Sequence, residues 1–413
     1  MFAWLRDLTA DERKTMVGSM GGWALDAFDV QLFSFVIPTL LALWEISRAD
    51  AGLLGTVTLL VSAIGGWAAG ALSDRYGRVK VLQFTIVWYA VFTFLCGFAH
   101  TYAQLFVLRA LQGLGFGAEW SAGAVLMGEA IRDRYRGRAV GLVQSGWAIG
   151  WGAAALVYTV VFTRLPEATS WRVLFWIGLA PALLVFWLRK HVDEPAVFRQ
   201  RTSTQRQPAA QLFAMLRRPY LATTLKVALM VTGAQGGLYA LAVWLPTYLR
   251  TARGLSIGGT GAYLFVHILG AWFGFLAGAY LADAIGRRAT FFVSALGAAF
   301  AVVAFLTLPL SNDMQLWVAA PLGFVVYMMF SPMGSFMTEL YPTEVRGAAQ
   351  GFCYNIGRAI GAVFPALVGL LADRLSLGIA IAVFAFTAYG LQVAALLVLP
   401  ETKGRRIAQI ATG

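Results

Sequence analysis

The sequence is short of charge, cysteine and histidine. Only 13% of its 413 residues are Asp, Glu, Lys or Arg, about half the share of a soluble protein, which is too little to build a water-facing surface. Two cysteines, Cys96 and Cys353, each lie inside an apolar run, so a disulfide scaffold is excluded. No zinc-ligand spacing, nucleophile elbow or Walker motif occurs, and the chain reads as neither an enzyme nor an ATP-driven pump. What is present is apolar: 59% hydrophobic residues, 44 Gly and 14 Trp, with mean hydropathy +0.70. That inventory describes a polytopic membrane protein and excludes a disordered or collagen-like chain.

Apolar segments recur at about 18–43, 52–72, 80–99, 103–130, 138–163, 171–189, 220–249, 259–281, 289–309, 315–339, 348–372 and 378–399. Each approaches the ~20 residues that cross ~30 Å of hydrocarbon. Helices are expected throughout, because lipid leaves no partner for open backbone groups. The first segment carries two carboxylates and is too long for a removable signal peptide.

The net charge of +12 reports topology rather than nucleic-acid binding. With the N-terminus cytoplasmic, 23 of the 32 Lys and Arg fall in inner loops and tails, six in outer loops and three inside spans. This is a strong positive-inside bias, with both termini cytoplasmic. One stretch has soluble character, HVDEPAVFRQRTSTQRQPAAQLFAMLRR, and it divides the chain near its midpoint. The expected organisation is a six-helix bundle at 1–189, a cytoplasmic linker at 190–218, and a second six-helix bundle with a short tail at 219–413.

The two halves repeat. GALSDRYGRVK at 70–80 matches AYLADAIGRRA at 279–289, aligning Asp74 with Asp283 and Arg78 with Arg287. GEAIRDRYRGRAVG at 128–141 matches TELYPTEVRGAAQG at 338–351, aligning Glu129 with Glu339 and Arg136 with Arg346. Two motifs sharing one offset argue for duplication. All eight residues are expected to gate, forming charged networks that hold helices together at the cytoplasmic end and release them when it opens.

The GxLxDRxGR pattern at 70–78, its copy after span eight, RALQGLGFG at 109–117 and PETKG at 400–404 resemble the major facilitator superfamily. The expected fold is therefore an all-α membrane protein of twelve transmembrane helices in two pseudo-symmetric six-helix bundles. WALDAFD at 23–29, GFGAEW at 115–120, WRVLFWIGLAPALLVFWLRK at 171–190 and YNIGRAIGAVFP at 354–365 resemble, more closely, the sialate:proton symporter group with its lactate and monocarboxylate permeases, and the neighbouring aromatic acid:proton symporters. Bacterial sialic acid permeases of that group carry an extra central pair of spans, and twelve spans here favour a smaller acid. The resemblance implies a bacterial inner (plasma) membrane location.

Ionisable groups inside hydrocarbon cost at least ~2.5–3.5 kcal/mol at a helix centre and must face water, a partner or the bundle interior. Asp26 and Asp29 lie three apart on span one, about 12 and 16 Å from its inner end, and Glu119 lies about 16 Å into span four. Buried carboxylates near one another favour the protonated form, so these three are the expected proton-coupling site. Arg109 is joined to them as a relay or structural partner. Arg358, about 18 Å into span eleven, is the expected anion-binding residue, because a guanidinium stays charged and its fork suits a carboxylate. Tyr354, Asn355, His267, Gln235 and Tyr239 are expected around the substrate. Lys226 sits near a span end and can snorkel. Gly113, Gly115 and Gly117, with Gly270, Gly274 and Gly278, suit close helix approach. GFGAEW is no dinucleotide fingerprint, since no strand precedes it.

These residues are read as a proton-coupled symporter of a small organic acid anion, a monocarboxylate such as lactate or an aromatic acid, working by alternating access. Its expected partners are the acid, the proton and the lipid bilayer, with no cofactor and no metal, in a monomer. The rival transporter reading is an uncharged solute such as a sugar or polyol. A sensor that signals without translocation is disfavoured by the short tails.

Overall fold

The computed structural model describes residues 3–131, 136–180, 182–184, 187 and 215–404. Within these, the side chains of residues 3, 70, 71, 73–75, 78, 118–130, 136–138, 343 and 344 are not described. Most of the expected 190–218 linker lies outside the described residues.

The structure is helical, with no strand among the described residues. The first half holds α1 (Ala10–Trp44), α2 (Arg48–Tyr76), α3 (Arg78–Cys96), α4 (Tyr102–Ala130), α5 (Arg136–Gln144), α6 (Gly146–Arg164) and α7 (Glu167–Ile177). The second holds α8 (Leu221–Ala242), α9 (Leu245–Thr247), α10 (Ile257–Ile285), α11 (Arg287–Thr307), α12 (Asn312–Met328), α13 (Phe330–Leu340), α14 (Thr343–Gly361), α15 (Phe364–Ala372) and α16 (Leu377–Val398). Among the described residues, 10 helical stretches are long and apolar enough to cross a membrane. The fourth and sixth spans run into residues that are not described.

Several spans are broken. α5 and α6 form one span interrupted at Ser145, α12 and α13 one interrupted at Met329, and α14 and α15 one interrupted just before Pro365. Span seven runs from α8 through α9, where Pro246 sits in the first turn, into a π-helical turn at Tyr248–Ala252. Proline removes a backbone donor and clashes with the preceding turn, which explains two of these breaks.

Helix ends differ from the hydropathy expectation where capping takes over. α1 starts eight residues before the apolar run, because Thr9 and Glu12 form a reciprocal capping box and two acidic residues occupy its first turn. The box satisfies amide groups that would otherwise be orphaned, so the helix projects beyond the hydrocarbon. The sixth span begins at Glu167 rather than 171 without a side-chain cap: Pro166 precedes the helix and Glu167 places an acidic residue in its first turn.

The duplication is visible in the packing. α2 lies along α4 in the first half, and α10 lies along α12 in the second. Both pairings are made at backbone distance. A Cβ on Gly113 would meet the Thr58 carbonyl and one on Gly117 the Ser62 carbonyl, while Gly270, Gly274 and Gly278 face the carbonyls of Ala320, Phe324 and Met328. Between the helices of a membrane protein, with lipid as apolar as the contacts it replaces, such small-residue seams carry association. Gly77 and Gly286, the aligned glycines of the repeated motif, both have φ of 106°, a conformation that side chains disfavour.

The halves meet along α2 against α14 and α15, along α6 against α10, and where α1 touches α9. At the end opposite the chain termini, which is outer in the expected orientation, they are clasped. Arg48 donates to the Ala372 carbonyl at 2.6 Å, the Ala366 amide donates to Thr56 at 3.2 Å, and Arg250 pairs with Glu167 at 2.9 Å.

Candidate functional site: a central aromatic chamber

A tight cavity of about 20 Å³, room for about one water molecule while the halves are closed on it, lies between the halves. Its first-half wall is Trp23 of α1, Phe116 of α4, Gln144 at the end of α5 and Trp147 at the start of α6. Its second-half wall is Gln235, Leu238 and Tyr239 of α8, Phe275 of α10, Tyr327 and Phe330 at the α12–α13 break, and Tyr354 and Arg358 of α14. Aromatic rings dominate; Trp23 and Trp147 meet at 5.1 Å between centroids. A larger apolar groove between α10, α11 and α12 is lined by Ala277, Leu281, Val293 and Phe324. Its wall is apolar apart from Tyr280 and holds no charged side chain.

Arg358 is the cation of the chamber. It is 2% exposed. Its Nη2 donates to the Tyr354 hydroxyl at 3.4 Å, while Nε and Nη1 have no hydrogen-bond partner. Its guanidinium lies 5.2 Å from the Phe116 ring centroid and 5.0 Å from that of Tyr354. The Tyr239 hydroxyl lies beside it, and Asp26 acts on it through space. Among the described residues no carboxylate is within ion-pair distance of it. A buried charge without a counter-ion at contact distance costs several kcal/mol.

The residues expected around Arg358 separate. Tyr354 lines the chamber with it, one helical turn away. Asn355 does not, because the adjacent residue on a helix points about 100° round the axis. Its amide donates to the Gly351 carbonyl at 2.9 Å, and its Oδ1 faces Gly66 of α2. Gln235 and Tyr239 lie one turn apart on the chamber face of α8. His267 stands behind the chamber, edge-on to Trp151 at 5.2 Å and to the chamber residue Tyr327 at 6.1 Å. Its Nδ1 is 3.2 Å from the Ala319 carbonyl.

The proton-coupling candidates separate as well. Asp29 is turned into the first half, where its Oδ2 accepts from Thr93 at 2.6 Å and from Gln112 at 2.7 Å. Gln112 in turn accepts from Arg109 at 2.6 Å, and the Arg109 guanidinium stacks over Phe33 at 4.1 Å. Arg109 and Asp29 are thus joined through an amide rather than in a direct ion pair. Asp26, fully buried, is the span-one carboxylate whose charge reaches Arg358. The side chain of Glu119 lies outside the described residues.

Of the two charged networks expected from the repeated motifs, the C-terminal copy lies among the described residues. Arg287 bridges Asp283 at 3.0 Å and Glu339 at 3.1 Å. Arg346 donates to the carbonyls of Thr338 and Tyr341 at the end of α13. The side chains of Asp74, Arg78, Glu129 and Arg136 lie outside the described residues. Glu401, from the PETKG stretch, joins this network: it accepts from the backbone amides of Arg287 and Arg288 at 2.9 and 3.0 Å and so caps α11. Partial burial works against its charge. Four backbone donors, on Lys403, Thr402, Arg287 and Arg288, outweigh that and hold its carboxyl below the usual range.

Sequence reasoning did not single out Trp23, Phe116, Gln144, Trp147, Phe275, Tyr327 or Phe330, because rings that line a cavity and rings that face lipid look alike in composition. Trp23 and Trp147 did stand in the resemblance region or beside a helix break, and that proximity is the only signal they gave.

Fold and chamber together define a multi-pass membrane transporter. The Major Facilitator Superfamily pattern matches residues 19–365. The chain is 42% identical over 410 residues, 99% of its own length and 95% of the relative's, to a probable 4-methylmuconolactone transporter of Cupriavidus pinatubonensis. It is 31% identical over 364 residues, 86% of each chain, to a cis,cis-muconate transport protein of Acinetobacter baylyi. A gallate transporter of Pseudomonas putida is 28% identical over 92% of this chain and 89% of its own. A bacterial homologue of the human lysosomal transporter Spinster, crystallised inward-facing and unoccupied, superposes with TM-score 0.71 at 17% identity, over 94% of this chain and 95% of that one. This last likeness concerns the fold. The chain belongs to the major facilitator superfamily.

Proposed function

We propose that the protein is a proton-coupled symporter that takes up a small, flat organic acid as its monoanion across a bacterial inner membrane, as a monomer with both termini cytoplasmic. The observation that carries this reading is Arg358: a buried guanidinium on the chamber wall with two nitrogens free to bind a carboxylate. The aromatic lining supports an unsaturated or aromatic acid over lactate, since offset stacking and edge contacts reward a planar partner. Relatives named for methylmuconolactone, cis,cis-muconate and gallate point the same way.

Coupling follows from electrostatics. With the chamber empty, the Asp26 carboxylate partly compensates Arg358. An entering acid anion neutralises the guanidinium, removes that support and favours protonation of Asp26. One proton and one anion then cross together with no net charge, as the halves rock about the chamber from one open side to the other. Opening at the terminus-bearing end breaks charge networks such as Asp283–Arg287–Glu339.

The test is uptake of labelled benzoate-type acids into proteoliposomes. Arg358→Ala is expected to lower uptake on the order of 100-fold, the scale of removing one partner of a buried charge pair. Full transport by Arg358→Ala would reject Arg358 as the anchor, and a wild type that takes up none of these acids would favour an uncharged solute.

A further inference from the structure

Gln235 is 2% exposed and its amide nitrogen has no hydrogen-bond partner, yet it stands on the chamber wall among aromatic rings. A buried amide left unpaired is costly, and such groups in a binding site are satisfied by what binds there. Its position is fixed by the packing behind it. A Cβ on Gly361 of α14 would meet Gln235 Cβ at 3.1 Å, and one on Gly357 would meet Val231 of α8 at 2.6 Å. The helix bearing Gln235 and the helix bearing Arg358 are therefore pressed together at backbone distance on both sides of Arg358. The cation and the amide donor belong to one rigid wall, while the opposite wall contributes the rings of Trp23, Phe116 and Trp147.

We propose that Gln235 is a specificity-determining residue that donates to a second polar group of the substrate, an acceptor atom held at a fixed distance from the carboxylate on Arg358. The inference rests on the acid-transport reading above and deepens it. The substrate class is a flat unsaturated monoacid carrying a ring nitrogen, a ring or carbonyl oxygen, or a hydroxyl oxygen. An unsubstituted hydrocarbon acid enters the same chamber but leaves the amide unpaired. Because both polar contacts sit on one half, the selection is retained whichever side of the chamber is open.

The experiment is calorimetric titration of the purified full-length protein with benzoate and nicotinate, which differ by one ring nitrogen, and with benzoate and 4-hydroxybenzoate. The wild type is expected to prefer the acceptor-bearing acids roughly five- to tenfold, the yield of one neutral hydrogen bond. In Gln235→Leu and Gln235→Met that preference collapses to near unity, read as the ratio of the acids' affinities within each variant. Two variants of similar volume, each checked by thermal unfolding with benzoate present, guard against a folding defect. The inference is overturned if the wild type shows no preference for either acceptor-bearing acid, if the preference survives in both variants, or if both variants lose benzoate in parallel. Arg358→Ala separates the two readings, because benzoate affinity reports the anchor whereas the ratio between acids reports Gln235. Retained benzoate affinity in Arg358→Ala removes the anchor and leaves the ratio to be judged alone. A wild type that binds none of the three acids overturns both.

Discussion

At Arg358 the structure joins two properties that rarely coexist: near-complete burial and two unpaired donor nitrogens. Its charge alone does not serve the site, because the planar fork binds a carboxylate through two bonds where an ammonium makes a point contact. Arg358→Lys is thus expected to keep the fold and to weaken acid binding at least tenfold, measured by calorimetry; unchanged affinity would show that charge suffices. Trp147 makes a different contribution, packing against Trp23 on the other wall. Trp147→Ala removes ring contact worth about 0.5–1.5 kcal/mol beyond area burial, and should weaken flat acids more than a saturated ring acid of the same size. Equal weakening of both would assign Trp147 to helix packing. These residues also mark the limit of sequence reading. Arg358 was legible because a cation in hydrocarbon needs a reason. Trp147 was not, since 14% of the chain is aromatic and most rings face lipid or neighbouring helices. The separate destinations of Asp26 and Asp29 were hidden too, because three residues of spacing still leave about 60° between them round the helix axis.

At the scale of helices, the seam between α10 and α12 is set by glycines. Gly274 allows no Cβ: the atom would lie 2.3 Å from the Phe324 carbonyl, whereas a Cβ on Gly258 of the same helix meets nothing within 4 Å. Gly274→Ala is expected to destabilise by about 1–3 kcal/mol through overpacking, and Gly258→Ala to be neutral, both read as melting temperatures in detergent. Similar temperatures for the two variants would refute the seam. The clasp between Glu167 and Arg250 joins the halves at the end opposite the termini, and Thr39 donates to the same carboxylate at 3.2 Å. A half-exposed pair of this kind contributes about 0.2–1 kcal/mol. Glu167→Gln should then raise the open population at that end up to roughly fivefold, read as faster labelling of a cysteine placed at Trp23. The native Cys96 and Cys353 are buried and leave that readout clean. Glu401 gives a pH signature: its folded carboxyl sits below the usual value, so its stabilisation is complete above about pH 4.3 and lost as pH falls through the depressed folded value. The melting-temperature gap between wild type and Glu401→Gln should accordingly close on acidification. A gap that persists at low pH would mean the cap does not depend on ionisation.

For the whole molecule, the spans and the duplication were legible from hydropathy and from two motifs at one offset, since a bilayer imposes length and composition on whatever crosses it. The same constraint hides what distinguishes one chamber from another. Helix breaks at Ser145, Met329 and Ala362–Val363 arise from local packing and one proline, and they leave little trace in an average over twenty residues. The chamber nevertheless lies between two related halves that touch along α2 with α14 and α15 and along α6 with α10. The central claim is that an acid anion on Arg358 travels with a proton. Uptake of a labelled flat acid into proteoliposomes, with the membrane potential clamped and an alkaline lumen imposed, tests it most directly. The account predicts transient accumulation against the acid gradient, abolished by a protonophore and indifferent to the clamped potential; uptake of the same rate and extent without the pH difference would contradict it.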